Sequence, residues 1–200
     1  MRLVDRIFNV LQNRYVIVVG DFAESLGIDK KIVANILHYL YRRGQIHRIA
    51  KGIYTLKQLL RDPLIVSTAI HYPSYISLST ALSLQNVIDQ VVPVIEVVTS
   101  DNVPRTRRRI QINTTSIILH RFPPKLMFGY RYRESKVVRG YYYYIAKPEK
   151  AILDYVYKRG DPEEIFTVNW GMLNTKLLKE YVQEYPPRVR RWLERKLNNL

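Results

Sequence analysis

Three carboxylates, Asp89, Glu96 and Asp101, are the side chains of this sequence that could carry metal chemistry. They lie in and around the β-branched run 94–99, and carboxylate oxygens are the ligands of Mg²⁺ and Ca²⁺. No lysine follows Glu96 to complete the two-carboxylate-plus-lysine cluster of a nuclease. We therefore expect Glu96 to be a single surface-facing strand residue, and a metal-dependent nuclease is the less favoured function.

The other potentially reactive side chains form no complete site. The histidines, which lack a paired metal-ligand spacing, are His38, His47, His71 and His120. The eight glycines form neither a phosphate-binding loop nor a dinucleotide fingerprint. We expect the hydroxyls of Ser77, Ser79 and Thr80 to satisfy free amides at the start of a helix, because no base is evident nearby. The sequence thus predicts no catalytic residue, no metal and no cofactor, and the protein is not expected to be an enzyme.

The charge balance predicts an anionic partner. Lysine and arginine number 32 against 17 acidic residues, which gives a formal charge of +15, and nucleic acid is the leading candidate. Cysteine is absent, which excludes a disulfide framework, a thiolate zinc site and a cysteine nucleophile. No apolar run approaches the roughly 20 residues of a membrane helix. We expect a cytoplasmic protein that does not contact a membrane.

Residues 1–60 show the pattern of a winged helix-turn-helix domain. Helical spacing of apolar residues predicts three helices, at residues 3–11, 21–26 and 30–43. Asp29 is the expected N-cap of the third helix, and residues 26–29 form the tight turn before it. Two β-prone runs, 45–49 and 53–56, surround a turn at Ala50, Lys51 and Gly52. They predict a hairpin, which would be the wing.

The third predicted helix has an apolar stripe and an opposite polar face. We expect Asn35, His38 and Arg42 to read base edges in the major groove, whereas Arg48 and Lys51 of the wing contact backbone on any sequence. The residues expected to bind duplex DNA are Lys30, Lys31, Asn35, His38, Arg42, Arg43, Arg48 and Lys51. The alternative is that the module docks a protein and its charges form an ordinary solvated face.

Residues 61–200 predict a mixed α/β domain that ends in two helices, so that the whole chain is α+β. Strands are expected at 75–77, 94–99, 110–121 and 137–145, and helices at 63–70, 79–85, 148–157, 174–185 and 187–197. A second basic patch that could bind phosphate comprises Arg105, Arg107, Arg108 and Arg109. Strand alternation places two rings of the run Tyr141–Tyr144 in the core, and at most two remain free to stack on bases.

Three stretches carry a more specific signal: GIYTL at residues 52–56, YISLSTAL at 75–82 and IAKPEKAILD at 145–154. In composition, order and spacing they resemble the AbiEi-type antitoxins of type IV abortive-infection toxin–antitoxin systems. The resemblance covers nearly the whole chain. It implies a winged helix that represses its own promoter, with inverted repeats as the expected operator, and a second domain that neutralises a nucleotidyltransferase-like toxin without requiring a stable complex.

The same resemblance singles out Lys147, Glu149, Lys150 and Asp154 as candidates for the neutralising surface. Lys150 and Asp154 lie four residues apart, as in a surface ion pair of a helix. The alternative to the antitoxin is a stand-alone winged-helix transcription regulator without a toxin partner.

Overall fold

The fold, in a computed structural model that describes residues 3–12, 14–103 and 108–199, is a mixed α+β arrangement. The helices are α1 (Leu3–Gln12), α2 (Val19–Leu26), α3 (Lys30–Arg42), α4 (Pro63–Ser67), α5 (Leu78–Ser83), α6 (Pro148–Arg159), α7 (Thr175–Tyr181) and α8 (Pro187–Asn198). The strands are β1 (Val16–Val18), β2 (Ile46–Ala50), β3 (Ile53–Leu56), β4 (Ser74–Ile76), β5 (Val94–Thr99), β6 (Arg109–Ile112), β7 (Thr115–Arg121), β8 (Tyr130–Glu134) and β9 (Tyr142–Ala146). No helix within these ranges is long and apolar enough to span a bilayer.

The N-terminal part contains the three predicted helices and the predicted hairpin. Gly27 ends α2 in the left-handed conformation, with φ of 63°, and Asp29 begins α3 by accepting the amides of Lys31 and Ile32. Strand β1 was not predicted, because three residues are too few to show an alternating pattern. It pairs antiparallel with β3 and completes a sheet of order β1-β3-β2.

The second part is built on a six-stranded sheet of order β6-β7-β5-β4-β9-β8. Strand β5 runs parallel to β7 and β4 runs parallel to β9, while the other neighbours are antiparallel. The predicted strand 110–121 is two strands, because Asn113 turns the chain with φ of 51°. The predicted strand at 137–145 begins only at Tyr142, and β8 was missed because it alternates tyrosine with arginine at the sheet edge.

The three helices that follow the sheet agree with their predicted positions. Pro148 and Pro187 occupy the first turn of α6 and α8, where a missing amide hydrogen has no cost. Helix α7 is capped by Asn174, whose side chain accepts two amides, and is shorter than predicted because a 3-10 turn follows it. Helix α6 is buried over most of its length and packs on α5 and on the sheet.

The two parts of the chain contact each other through side chains. The ring centroids of Tyr15 and Tyr141 are 5.2 Å apart, and Gln58 Nε2 donates to the Tyr141 hydroxyl at 2.9 Å. The backbone amide of Tyr142 also donates to the Tyr15 hydroxyl. The division into domains near residue 60 stays a prediction.

Candidate nucleic-acid interface

The outer face of α3 carries a stripe of polar side chains. Val33, Leu37 and Leu40 are buried on the inner face, and Lys31 and Arg42 are exposed on the opposite side. At about 100° per residue, the positions Lys31, Asn35, His38 and Arg42 follow one line along the helix, and all four are exposed. From Lys31 to Arg42 the line spans about 16 Å at about 1.5 Å per residue. We call this line the α3 stripe.

The residues beside the α3 stripe differ in what they contact. Arg43 donates through Nη1 to the Tyr39 hydroxyl at 2.6 Å, and its guanidinium lies 5.5 Å from the centre of that ring. Both side chains line a shallow groove of about 470 Å³ between α1 and α3. Lys30 is exposed at the first turn of α3. The contact with Tyr39 fixes the guanidinium of Arg43 at the α1 side of the helix.

The hairpin of β2 and β3 carries the remaining two predicted DNA ligands. Lys51 is exposed at the turn, and Arg48 is exposed on β2, where its Nε donates to the Ala50 carbonyl at 3.4 Å. Gly52 has φ of 76° and accepts the amide of Val19, so the turn is fixed to the start of α2. The structure thus places all eight predicted DNA-binding side chains at the surface of the N-terminal part.

The second basic patch is only partly described. Arg105 and Arg107 lie outside the described residues. Arg108 is half-buried and donates to the Val103 carbonyl at 3.2 Å, whereas Arg109 is exposed at the start of β6. Arg109 lines a cleft of about 800 Å³ together with Arg14 and Lys51. Sequence reasoning missed this cleft, because its cations come from three separate segments.

The proposed neutralising surface is wrong for three of its four residues. Lys150 and Asp154 are fully buried and Glu149 is 5% exposed, so only the half-buried Lys147 reaches solvent. Glu149 accepts the amide of Asn174 at 2.8 Å and thereby fixes the start of α7. These charges are buried because α6 is covered by the sheet and by neighbouring helices, which a local i, i+4 spacing cannot reveal.

Lys150 and Asp154 form a buried ion pair in a cluster of aromatic rings. Lys150 Nζ donates to Asp154 and, at 2.6 Å, to the Tyr185 hydroxyl, which donates to Asp154. The other carboxylate oxygen accepts Ser77 Oγ at 2.7 Å and the Tyr75 hydroxyl at 3.1 Å. Burial lowers the pKa of Lys150 and raises the pKa values of Tyr75 and Tyr185 well above the ordinary value.

Glu96 is not a surface residue, contrary to the prediction. It is fully buried and binds the Ser79 hydroxyl, Arg159 Nη2 at 2.5 Å and His120 Nε2 at 3.0 Å. Burial alone would raise the pKa of Glu96, but the hydrogen bonds from His120 and Ser79, with the charge of Arg159, lower it overall. No group of three or more potential metal ligands occurs in the described part of the chain.

The sequence suggested that the hydroxyls of Ser77 and Ser79 cap α5, but they do not. Ser77 is the N-cap residue but its side chain makes no capping hydrogen bond, because the hydroxyl donates to Asp154. The Ser79 hydroxyl donates to Glu96 and that of Thr80 to the Val94 carbonyl. These side chains join α5 to the sheet and to α6.

Among the four consecutive tyrosines, only Tyr143 is buried. Tyr142 is 39% exposed and Tyr144 is half-buried, while Tyr141 packs on Tyr15. The prediction of two core rings is wrong because the strand begins at Tyr142, so alternation applies to three of the four residues.

Comparison with known proteins does not assign this chain to a family. No protein-family model matches this chain, and no curated protein is significantly similar to it in sequence.

Proposed function

We propose that this protein binds duplex DNA through the α3 stripe and the β2–β3 hairpin and acts as a transcription regulator. The single observation that carries the proposal is the α3 stripe, in which Lys31, Asn35, His38 and Arg42 are exposed along one line. An α-helix fits the major groove of B-DNA, and side chains along its outer face meet successive base pairs.

The order of elements supports the proposal. Helix, strand, two helices joined by a tight turn and a two-stranded hairpin follow each other, as in a winged helix. The core stripe of α3 packs inward and Asp29 fixes the first turn, so the outer face is presented by a rigid element. A basic hairpin beside such a helix contacts the phosphates that flank the groove.

The side chains divide into two roles. Asn35 matches the donor and acceptor pair of adenine, and Arg42 matches the two acceptors of guanine. Arg48 and Lys51 at the hairpin supply charge without a base-specific geometry, so their contribution is common to all sequences.

Selection of bound duplexes from a randomised library, followed by titration of the selected duplex, tests this division. Alanine at Asn35 or Arg42 is expected to reduce the preference for the selected sequence by about 1–3 kcal/mol per lost contact. Alanine at Lys51 weakens binding equally on selected and scrambled duplexes. Arg191→Ala, an exposed arginine of α8, is the matched control and leaves both affinities unchanged. Identical behaviour of the Asn35 and Lys51 variants contradicts the assigned roles.

An antitoxin role is the second candidate function, and the three stretches that resemble the AbiEi-type family favour it. Two of these stretches meet in the second part, where Tyr75 and Ser77 both donate to Asp154. Co-expression of the full chain with a nucleotidyltransferase-like gene encoded beside it tests this role through colony growth. Absence of colony growth on co-expression means that there is no rescue, and the stand-alone regulator then remains.

A further inference from the structure

Four tyrosine rings, those of Tyr130, Tyr132, Tyr142 and Tyr144, share one face at the β8 end of the six-stranded sheet. We call these four rings, together with the exposed ring of Tyr72, the tyrosine face. In the register of β8 and β9, Tyr132 lies opposite Tyr144 and Glu134 opposite Tyr142, which puts the β8 and β9 rings on the same side of the sheet. Ring centroids are 4.1 Å apart for Tyr132 and Tyr144 and 5.5 Å apart for Tyr130 and Tyr144.

Tyr72 extends the tyrosine face beyond the strands. It stands directly before the cis Tyr72–Pro73 bond that leads into β4. Burial raises the pKa of Tyr130, with a smaller contribution from the Tyr72 phenol. Burial and then the neighbouring Tyr132 raise the pKa of Tyr144, to which Tyr72 contributes less.

The outermost rings are open to solvent. Tyr72 is 77% exposed, Tyr132 63% and Tyr142 39%, although each is a large aromatic side chain. Strand β8 is the last strand of the sheet. A contiguous set of exposed rings is a feature of binding surfaces, whereas isolated exposed rings are common and carry no such meaning.

The segment that contains β8 is rich in positive charge. Residues 121–139 contain six basic side chains and one acidic side chain. Lys136 and Arg139 are exposed after β8, whereas Arg131 lies on the opposite face of β8 from Tyr130 and Tyr132. On the other side, Tyr72 also lines the 800 Å³ cleft. Among the described residues, the charged side chains that line this cleft are the cations Arg14, Lys51 and Arg109 and the carboxylates Asp21 and Asp101, so positive charge is in excess. A nucleic-acid backbone in the cleft, which Tyr72 also lines, could bring its bases to the rings.

We propose that the tyrosine face binds single-stranded nucleic acid, with bases stacked on Tyr72 and Tyr132 and the adjoining phosphates in the cationic cleft. This activity is distinct from duplex binding by the α3 stripe, although Lys51 of the hairpin belongs to both surfaces. Paired bases are already stacked on one another inside a duplex, and only unpaired bases can lie on a tyrosine ring. Aromatic rings beside a cationic groove are the two components that such binding needs.

Fluorescence anisotropy of the full chain with labelled oligo-uridine and oligo-thymidine, each about 12 nucleotides long, tests the proposal. We expect both the Tyr132→Leu and the Tyr72→Leu variants to bind each strand at least fivefold more weakly, which is the lower limit for loss of one stacked base. Tyr132→Phe keeps the ring and is expected to bind as the native protein does. Ile165→Ala removes an exposed apolar side chain elsewhere and serves as the matched control. Thermal unfolding of each variant verifies that the fold is retained.

Comparison of the two oligonucleotides also identifies the class of ligand. Equal affinity for both strands indicates binding without a sugar contact, and preference for oligo-uridine indicates a contact to the 2′-hydroxyl. Both results support the proposal. Arg42→Ala alters the α3 stripe and is expected to keep its single-strand binding, which shows that the tyrosine face acts without the α3 stripe. Failure of the duplex test leaves this result unaffected.

Three results overturn the proposal: no binding of either strand, equal binding by Tyr132→Leu and the native protein, or equal losses in Tyr132→Phe and Tyr132→Leu. A concentration-dependent dimer that Tyr132→Leu abolishes, and that neither strand competes with, assigns the tyrosine face to a second copy of this chain instead.

Discussion

Replacement of Lys150 by methionine tests the buried ion pair of Lys150 and Asp154. Both residues were expected at the surface from the sequence. Methionine keeps the unbranched apolar stem but removes the ammonium group, so that the Asp154 carboxylate stays buried without its cation. Loss of one partner from a buried pair costs about 3–5 kcal/mol. Asp154 retains hydrogen bonds from Ser77, Tyr75 and Tyr185, so we expect a value near the lower limit, about 3 kcal/mol.

The assay is urea unfolding followed by circular dichroism, with Lys158→Met as the matched control. Lys158 is exposed on the same helix, so its replacement is expected to change the free energy of unfolding by less than about 0.5 kcal/mol. For a chain of this size, a loss of about 3 kcal/mol lowers Tm by roughly 6–12 °C.

A loss below about 1 kcal/mol for Lys150→Met would refute the reasoning, since an exposed pair contributes only about that much. Tyr185→Phe supplies a milder test in case the methionine variant does not fold. It removes one hydroxyl from the same cluster and is expected to cost about 1–3 kcal/mol through unsatisfied buried groups.

Three further predictions concern single side chains. The lowered pKa of Glu96 means that its ionised form stabilises the fold above pH 4.5, and this contribution is lost as pH falls through the folded-state pKa. The difference in free energy of unfolding between the native protein and Glu96→Gln should therefore shrink on acidification. A difference that stays constant in acid titrations contradicts this. Asp29→Ala removes the N-cap of α3 and should cost about 1 kcal/mol in urea unfolding, with weaker duplex binding in the same preparation. Gly129→Ala should destabilise more than Gly140→Ala, because both have positive φ but only the first would place a Cβ 3.1 Å from Tyr181; equal losses of Tm in the two variants contradict the crowding.

The N-terminal helices were predictable because their signals are local. The apolar spacing of α3, the cap at Asp29 and the glycine at position 27 each act within a few residues. Exposure of the α3 stripe followed from the same periodicity. Strand β1 escaped prediction because it is three residues long and owes its conformation to pairing with β3.

The positions of the charged residues in the second part depend on long-range contacts. Glu96 is surrounded by Ser79, His120 and Arg159, whose separation along the chain hides the cluster in the sequence. A lone carboxylate between Ile95 and Val97 suggests a solvated face, but here Ser79 of α5, Arg159 of α6 and His120 of β7 contact it and supply its partners. The tyrosine face likewise combines β8, β9 and Tyr72, and a local pattern identified only the run at residues 141–144.

The salt dependence of duplex binding by the full chain tests the central claim most directly. We expect the logarithm of the binding constant to fall linearly with the logarithm of salt concentration, with a slope of about −0.9 for each neutralised phosphate. Lys51→Ala should make this slope less negative by about 0.9, the value for one neutralised phosphate, whereas Arg191→Ala should leave the slope unchanged. A slope near zero for the native protein contradicts duplex binding, and an unchanged slope in Lys51→Ala removes the hairpin from the interface.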